Sequence, residues 1–147
     1  MKTFTKAAKE VLKSEAKAIE ALSERLGSEF ERTVNTILSH NGKIIICGVG
    51  KSGWIGRKIA ATLTSTGTPA VFLHACEAVH GDLGIYEDGD PAILISNSGA
   101  TSECLRIMPV LRSFGSTLIA LVGNPDSPMA RNADITLDAS FESEGDP

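Results

Sequence analysis

A cluster of hydroxyl side chains is the first feature of this sequence that could do chemistry. Ser96, Ser98, Thr101 and Ser102 supply four hydroxyl groups within a few residues, and Asn97 adds an amide. They follow an apolar run and precede a helix-compatible segment. The N–H groups and the dipole at a helix start favour an anion, and hydroxyls donate to phosphate oxygens. The cluster therefore predicts a phosphate-binding loop, with an ordinary Ser/Thr helix cap as the alternative.

A second unusual loop follows an earlier apolar run. It reads Gly48-Val49-Gly50-Lys51-Ser52-Gly53. Gly50-Lys51-Ser52 resembles the end of a P-loop motif, but that motif needs a glycine where this chain has Ile45. The sequence therefore excludes a P-loop that wraps around a nucleoside triphosphate. We expect Gly50 and Ser52 to approach a small ligand and Lys51 to reach into the same crevice. The alternative for Lys51 is a solvated loop lysine.

Two further titratable residues are candidates for acid–base work. His80 lies in a stretch of residues 74–84 that also holds a second histidine, His74, with a Cys, a Glu and an Asp, but the spacing fits no common zinc signature, so no metal is predicted. Histidine titrates near neutral pH, so His80 is either an acid–base group or a hydrogen-bonded loop histidine. Glu103 lies in the predicted first turn of the helix after the hydroxyl cluster. There it either complements the helix dipole or directs a carboxylate at the ligand.

The elements that must position these residues follow from the apolar pattern. Short runs that are apolar at nearly every position are typical of strands covered on both faces. They occupy residues 44–47, 70–73, 92–95, 118–122 and 135–137. Helix-compatible segments lie between them at 53–65, 102–114 and 127–132. This alternation predicts an α/β fold with an open, parallel, five-stranded sheet and helices on both faces. In the common order 2-1-3-4-5, the loops after strands one and three face one crevice.

Two amphipathic helices are predicted before the sheet. The first spans residues 5–26 with Gly27 as its stop, and the second starts at a capping box formed by Ser28 and Glu31 and ends at Asn41-Gly42. We therefore divide the chain into a helical segment, 5–40, and a sheet core, 43–138. The last strand has no closing helix after it, so one of its faces needs cover from a continuation of the chain or from a partner.

Composition narrows the function classes. The 147 residues suit one domain, and 42% hydrophobic against 22% charged residues suits a packed core. The net charge of −4 argues against a nucleic-acid partner, which needs a basic face. No apolar run approaches the roughly 20 residues of a membrane helix. Three cysteines without a CxxC spacing predict no disulfide framework, and together these features predict a cytoplasmic protein.

The ordered motifs resemble the sugar isomerase (SIS) domain family, and within it the arabinose 5-phosphate isomerase group. The resemblance runs from about residue 5 to the end. It is carried by Gly48-Val49-Gly50-Lys51-Ser52-Gly53, Ser65-Thr66-Gly67-Thr68-Pro69, Glu77-Ala78-x-His80-Gly81-Asp82-Leu83-Gly84 and Ser96-Asn97-Ser98-Gly99.

The resemblance implies an enzyme that interconverts D-ribulose 5-phosphate and D-arabinose 5-phosphate through an enediol, for the Kdo sugar of lipopolysaccharide or for capsule. It implies phosphate binding by Ser96, Asn97, Ser98 and Thr101. Lys51, Glu103 and Glu144 are implied as active-site residues, and no cofactor is needed. It also implies a homotetramer, and a domain that continues past Pro147, since the family carries a further histidine and often paired CBS domains.

Two departures and two rival functions accompany this interpretation. Ala100 stands where the family commonly has an acidic residue, and Gly145-Asp146 follows Glu144 where the family has Ala-Cys. A non-catalytic sugar-phosphate sensor would need the hydroxyl cluster but not the joint presence of Lys51, His80 and Glu144. An isomerase of another phosphosugar is the second rival.

Overall fold

Five parallel strands form one sheet in the computed structural model, which describes residues 3–141. Their order is β2-β1-β3-β4-β5, so the predicted order is confirmed. The strands are β1 (Ile44–Gly48), β2 (Ala70–His74), β3 (Ala92–Ser96), β4 (Leu118–Val122) and β5 (Ile135–Asp138). Each predicted apolar run is a strand, and four of the five extend one residue further than the run itself.

Six α-helices and one 3₁₀ turn complete the described chain. They are α1 (Phe4–Ser23), α2 (Ser28–Ser39), α3 (Gly50–Ser65), α4 (Ala75–Ala78), α5 (Ser102–Ser113), α6 (Pro128–Asn132) and the 3₁₀ turn Asp82–Ile85. Two boundaries differ from expectation in ways that matter. The first helix ends at Ser23, before Gly27, and α3 starts at Gly50, so Lys51 and Ser52 lie in its first turn instead of in a loop.

The predicted capping box at Ser28 is wrong. Gly27 is the N-cap of α2, and no side chain caps this helix. The Gly27 carbonyl accepts the N–H groups of Phe30 and Glu31, so the first turn is closed by backbone alone. Because α2 already begins at Ser28, the Ser28 side chain is one position too late to cap it.

The sheet buries two apolar layers, as strands covered on both faces require. On β1, Ile44 and Ile46 point to the layer covered by α2 and α3, while Ile45 and Cys47 point to the layer covered by α5 and α6. The helices after β3 and β4 therefore lie on the opposite face from the helix after β1. This reversal opens a crevice at the carboxyl ends of β1 and β3.

A buried carboxylate secures the opposite end of the sheet. Asp90 is 1% exposed, and its Oδ1 lies 2.9 Å from Nε2 of His40 while its Oδ2 lies 2.7 Å from Nζ of Lys43. Burial raises the pKa of Asp90, but hydrogen bonds from Lys43, His40 and backbone N–H groups outweigh it and hold that pKa below its usual value. Within residues 3–141, no helix combines the length and the apolar character that crossing a bilayer requires.

Candidate functional site

The crevice brings the two unusual sequence segments to one edge of the sheet. Gly48, the last residue of β1, pairs in register with His74 of β2 on one side and with Ile95 of β3 on the other. The parallel strands end together there. The first turn of α3 and the loop between β3 and α5 therefore emerge as neighbours, as the sequence predicts.

The hydroxyl groups of the β3–α5 loop converge. The Ser96 Oγ, on a side chain only 3% exposed, lies 2.7 Å from Oγ1 of Thr101 and 3.5 Å from Oγ of Ser98. Thr101 is the N-cap of α5 but makes no side-chain hydrogen bond to that helix. The ordinary helix-cap alternative therefore fails for Thr101. The Ser96 hydroxyl contacts the other two, so the three hydroxyls lie together at the start of α5.

Gly99 gives this loop its turn. Its φ of +62° lies in the left-handed region, and its N–H donates to the Ser96 Oγ at 3.0 Å. The N–H of Ala100 donates to the Ser98 Oγ at 3.2 Å. Successive backbone N–H groups thus turn toward the hydroxyls, at the start of a helix whose dipole favours an anion. This arrangement can bind a phosphate.

Lys51 supplies a cation beside that loop. It is exposed, in the first turn of α3, and no described residue forms an ion pair or hydrogen bond with it. Gly50 before it has φ +55° with open space around its Cα, and Ser52 after it is half-buried. A Cβ at Gly48 would lie 3.2 Å from the backbone of Gly53, so these two glycines let α3 start close against β1.

Glu103 lies where the sequence predicts, in the first turn of α5. Its own backbone N–H and the Ser102 hydroxyl, 2.8 Å from its Oε2, hold the pKa of its carboxyl below the usual value, and the charge of Arg106 lowers it further. The side chain is solvent-accessible. Glu103 is therefore an ionised carboxylate at neutral pH, and a weaker base than an ordinary glutamate.

The remaining predicted residues are not gathered in the same way. The His80 side chain is exposed and makes no hydrogen bond or ion pair with any described residue, Lys51 and Glu103 included. Glu144 lies outside the described residues. Asn97 is exposed, and its carboxamide packs over Gly123 in the loop after β4.

Two residues near the crevice were not singled out by sequence. Ser127, 1% exposed, packs against Gly99, and the Met129 N–H donates to the Gly99 carbonyl at 2.9 Å. His74 ends β2, and its Nδ1 accepts the Cys76 N–H at 3.3 Å. The position of His74 at a strand's carboxyl end is a usable sequence signal. The packing of Ser127 against Gly99 joins segments that are distant in the sequence, so no sequence signal predicts it.

Comparison with known proteins places this arrangement in a family. Residues 37–145 match the SIS domain. The chain belongs to the SIS domain family. The match spans every strand of the sheet and both segments that flank the crevice, so the predicted family resemblance is confirmed.

Named relatives of this SIS domain come from several bacteria. It is 42% identical over 144 residues to the arabinose 5-phosphate isomerase KdsD of Pseudomonas aeruginosa, and 48% identical over 141 residues to the arabinose 5-phosphate isomerase GutQ of Salmonella typhi. Each alignment covers 96% or more of this chain but 44% of the relative, so the chain spans less than half the length of these proteins.

A solved structure agrees with the fold. The E. coli CFT073 protein c3406, determined in complex with arabinose 5-phosphate, is 43% identical, with a TM-score of 0.89 over 95% of this chain and 74% of that one. Among the described residues of the SIS domain, no group of three or more His, Cys, Asp and Glu side chains is placed to hold a metal ion.

Proposed function

We propose that this chain is the SIS part of an aldose–ketose isomerase that interconverts D-ribulose 5-phosphate and D-arabinose 5-phosphate through an enediol, for Kdo, lipopolysaccharide or capsule synthesis. The observation that carries the proposal is the convergence of the Ser96, Ser98 and Thr101 hydroxyls at the start of α5. The names of the relatives and the arabinose 5-phosphate complex of the E. coli protein support the choice of sugar.

The phosphate site orients the reacting end of the sugar. Ser96, Ser98 and Thr101, with Asn97 at the loop's outer side, hold the phosphate as the remote anchor. The binding energy of the phosphate holds the reacting carbons, at the other end of the sugar, in position next to the catalytic groups, which lowers the barrier to reaction. Gly50 and Ser52 border the crevice from the α3 side.

The reaction also needs a base and a group that stabilises an oxyanion. The lowered pKa of Glu103 makes it a poor general base, so we assign proton abstraction to Glu144 and an orienting, electrostatic role to Glu103. Lys51, a cation without a protein partner among the described residues, is suited to stabilise the enediolate oxygen. His80 is assigned to hydroxyl proton transfer or ring opening.

The test is turnover. Purified protein, in a version that extends past Pro147 if the gene does so, is incubated with D-ribulose 5-phosphate, and aldose formation is followed. We expect wild-type turnover and, for Glu144→Gln, a kcat lower by about 100-fold or more with a smaller change in KM. Glu144→Gln with a wild-type kcat would place the base elsewhere.

A non-catalytic sugar-phosphate sensor remains the second candidate, because the hydroxyl cluster is complete within residues 3–141 and needs no catalytic group to bind. Thermal shift against sugar phosphates and nucleotides distinguishes the two candidates together with the assay. Stabilisation by pentose phosphate without aldose formation favours the sensor. Stabilisation by a hexose phosphate alone favours an isomerase of another phosphosugar.

We also propose that the protein is a cytoplasmic homo-oligomer, a tetramer by resemblance. None of the 20 residues of α1 is buried. Leu12 and Ile19 lie seven residues apart on α1 and are 64% and 68% exposed, and Leu26, three residues past the end of α1, is 53% exposed. A seven-residue apolar spacing on a helix is the pattern of a helix–helix seam. The free thiols of the three cysteines suit a reducing compartment.

For the domain bounds, we propose that residues 1–147 form one unit, with a helical segment at 5–40 and the sheet core at 43–138. In support, α2 packs on β5, so the helical segment shares its apolar layer with the sheet.

A further inference from the structure

His74 is a polar side chain at the crevice that the roles assigned above leave unused. It is the last residue of β2 and pairs in register with Gly48, the last residue of β1. His74 also caps α4, which packs on α5, the helix that begins at the hydroxyl loop. His74 and the hydroxyl loop therefore both lie at the carboxyl edge of the sheet.

One hydrogen bond fixes the protonation pattern of the His74 ring. Nδ1 accepts the backbone N–H of Cys76 at 3.3 Å and caps α4. A nitrogen that accepts an N–H carries a lone pair, so the proton of the neutral ring resides on Nε2. The ring also packs edge-on against Phe72, with centroids 6.3 Å apart. These two contacts hold the ring in place.

The other ring nitrogen is left for a ligand. Across residues 3–141, Nε2 of His74 has no hydrogen-bond partner, although the side chain is half-buried. Because the ring is only half-buried, a ligand atom can take the place of water at Nε2.

We propose that His74 is a further catalytic residue of the isomerisation, with its neutral Nε2–H donating a hydrogen bond to the carbonyl oxygen of the open-chain sugar. This rests on the proposed function. In the ketose-to-aldose direction, the carboxylate base removes a proton from C1, the C1–H electron pair forms the C1=C2 bond, and the carbonyl pair moves onto O2. Nε2–H stabilises that oxyanion.

The second half of the reaction returns every group to its starting state. The base returns its proton to C2, the O1 hydroxyl loses its proton as the C1=O bond forms, and that proton ends on O2. The imidazole is unchanged at the end. A neutral imidazole suits this task because it can donate a hydrogen bond to a developing negative charge. A cationic imidazolium would instead form an ion pair with a nearby carboxylate.

Two substitutions test the two ring nitrogens of His74 separately. In His74→Asn the carboxamide oxygen replaces Nδ1 and keeps the cap on Cys76, but nothing replaces Nε2. In His74→Gln the amide nitrogen replaces Nε2, but the cap is lost. The experiment measures kcat, KM and Tm for both variants and the wild type, in the full chain with D-ribulose 5-phosphate.

We expect His74→Asn to lower kcat by about 100-fold, with KM changed by less than about 3-fold and an unchanged Tm. His74→Gln is expected to retain about ten times more kcat than His74→Asn while its Tm falls by about 3 °C. The more stable of the two variants is thus expected to be the less active one. If the role of His74 were only structural, the less stable variant would be the less active one.

Two results would overturn the inference. A His74→Asn variant with wild-type kcat shows that Nε2 is not needed, while the proposed function stands. If kcat and Tm both fall further in His74→Gln than in His74→Asn, the role of His74 is to cap α4 and nothing more. A wild-type protein that forms no aldose removes the proposed function, and this inference with it.

Discussion

Gly99 is the residue on which the shape of the phosphate loop depends. Its left-handed φ of +62° permits the turn, and a Cβ there would collide with the Ser127 hydroxyl. The sequence predicts the first property, because a glycine among hydroxyl residues indicates a tight turn. It does not predict the second, since Ser127 comes from the far end of the β4–α6 loop and its contact exists only after folding.

Replacing Gly99 tests that packing. Gly99→Ala is expected to weaken pentose phosphate binding at least about 10-fold, because the left-handed backbone costs a non-glycine residue about 1 kcal/mol and the new methyl group displaces the loop. Isothermal calorimetry measures the affinity.

The paired variant Gly99→Ala/Ser127→Gly relieves the collision and should recover part of the loss. Gly27→Ala, at a glycine with nothing within 4 Å of a built Cβ and an extended φ of −149°, is the matched control. No recovery in the double variant would mean that backbone strain alone accounts for the effect.

Asp90 predicts a pH dependence of stability. Its folded-state pKa is lowered, so its contribution to the free energy of unfolding is present above about pH 4, the unfolded value, and is lost as the pH falls through the folded value. Asp90→Asn should destabilise the protein by about 3 kcal/mol at pH 7, because Lys43 and His40 lose a buried partner.

Urea unfolding from pH 7 to pH 3 measures this contribution. The difference between wild type and Asp90→Asn should shrink toward the acid end, whereas Asp88→Asn, at an exposed neighbour, should give only a small difference at pH 7. A difference for Asp90 that stays constant across this range would contradict the assignment.

At the scale of elements, the strands are predictable and the helix ends are not. Runs such as Ile44-Ile45-Ile46 are apolar on both faces, which is typical of a doubly covered strand, so the strands follow from the pattern, whereas their order is the common one for such a sheet. The ends of α1 and α2 depend on which backbone carbonyl closes the turn, and the Gly27 carbonyl does so without a side-chain signal. Likewise, α3 begins at Gly50 because Gly48 and Gly53 allow close packing.

The packing of α5 on β1 predicts thiol reactivity. Cys47 of β1 and Cys104 of α5 are both 0% exposed in one apolar layer, and contact with Cys104 together with burial raises the pKa of Cys47. Cys76 is half-buried at α4. Ellman's reagent should therefore label one thiol quickly and the other two only as fast as the protein unfolds.

Cys76→Ser is the control for this labelling, since it should remove the fast phase and leave the slow one. Rapid reaction of two or more thiols in the native wild type would show that α5 does not seal the β1 layer.

For the whole molecule, the exposed apolar residues on and just after α1 bear on the proposed oligomer. The amphipathic pattern predicts the helix, but nothing within residues 3–141 of one chain covers Leu12, Ile19 and Leu26. The sequence could predict that these residues need cover. It could not identify what covers them, because the pattern of one chain says which side chains are apolar but not which surface they meet.

Neighbouring positions on α1 test the seam. Ile19→Lys places a charge on the apolar stripe and should shift the protein to smaller species in analytical ultracentrifugation, while Glu20→Lys, on the polar side of the same turn, should not. Wild-type protein that sediments as a monomer, or two variants that behave alike, would contradict the proposed oligomer.

The central claim is that the hydroxyl loop binds the sugar's phosphate. Calorimetric titration with D-arabinose 5-phosphate and with D-arabinose tests it most directly, in wild type, in Ser98→Ala/Thr101→Ala and in a control that removes two exposed hydroxyls elsewhere, Thr62→Ala/Ser113→Ala. We expect the wild type and the control to bind D-arabinose 5-phosphate but not D-arabinose. The loop variant should bind D-arabinose 5-phosphate about 100-fold more weakly, because each lost hydrogen bond to a charged group is worth about 1.5 kcal/mol or more. Equal affinity of the loop variant and the wild type, or equal binding of the two sugars, would contradict the account.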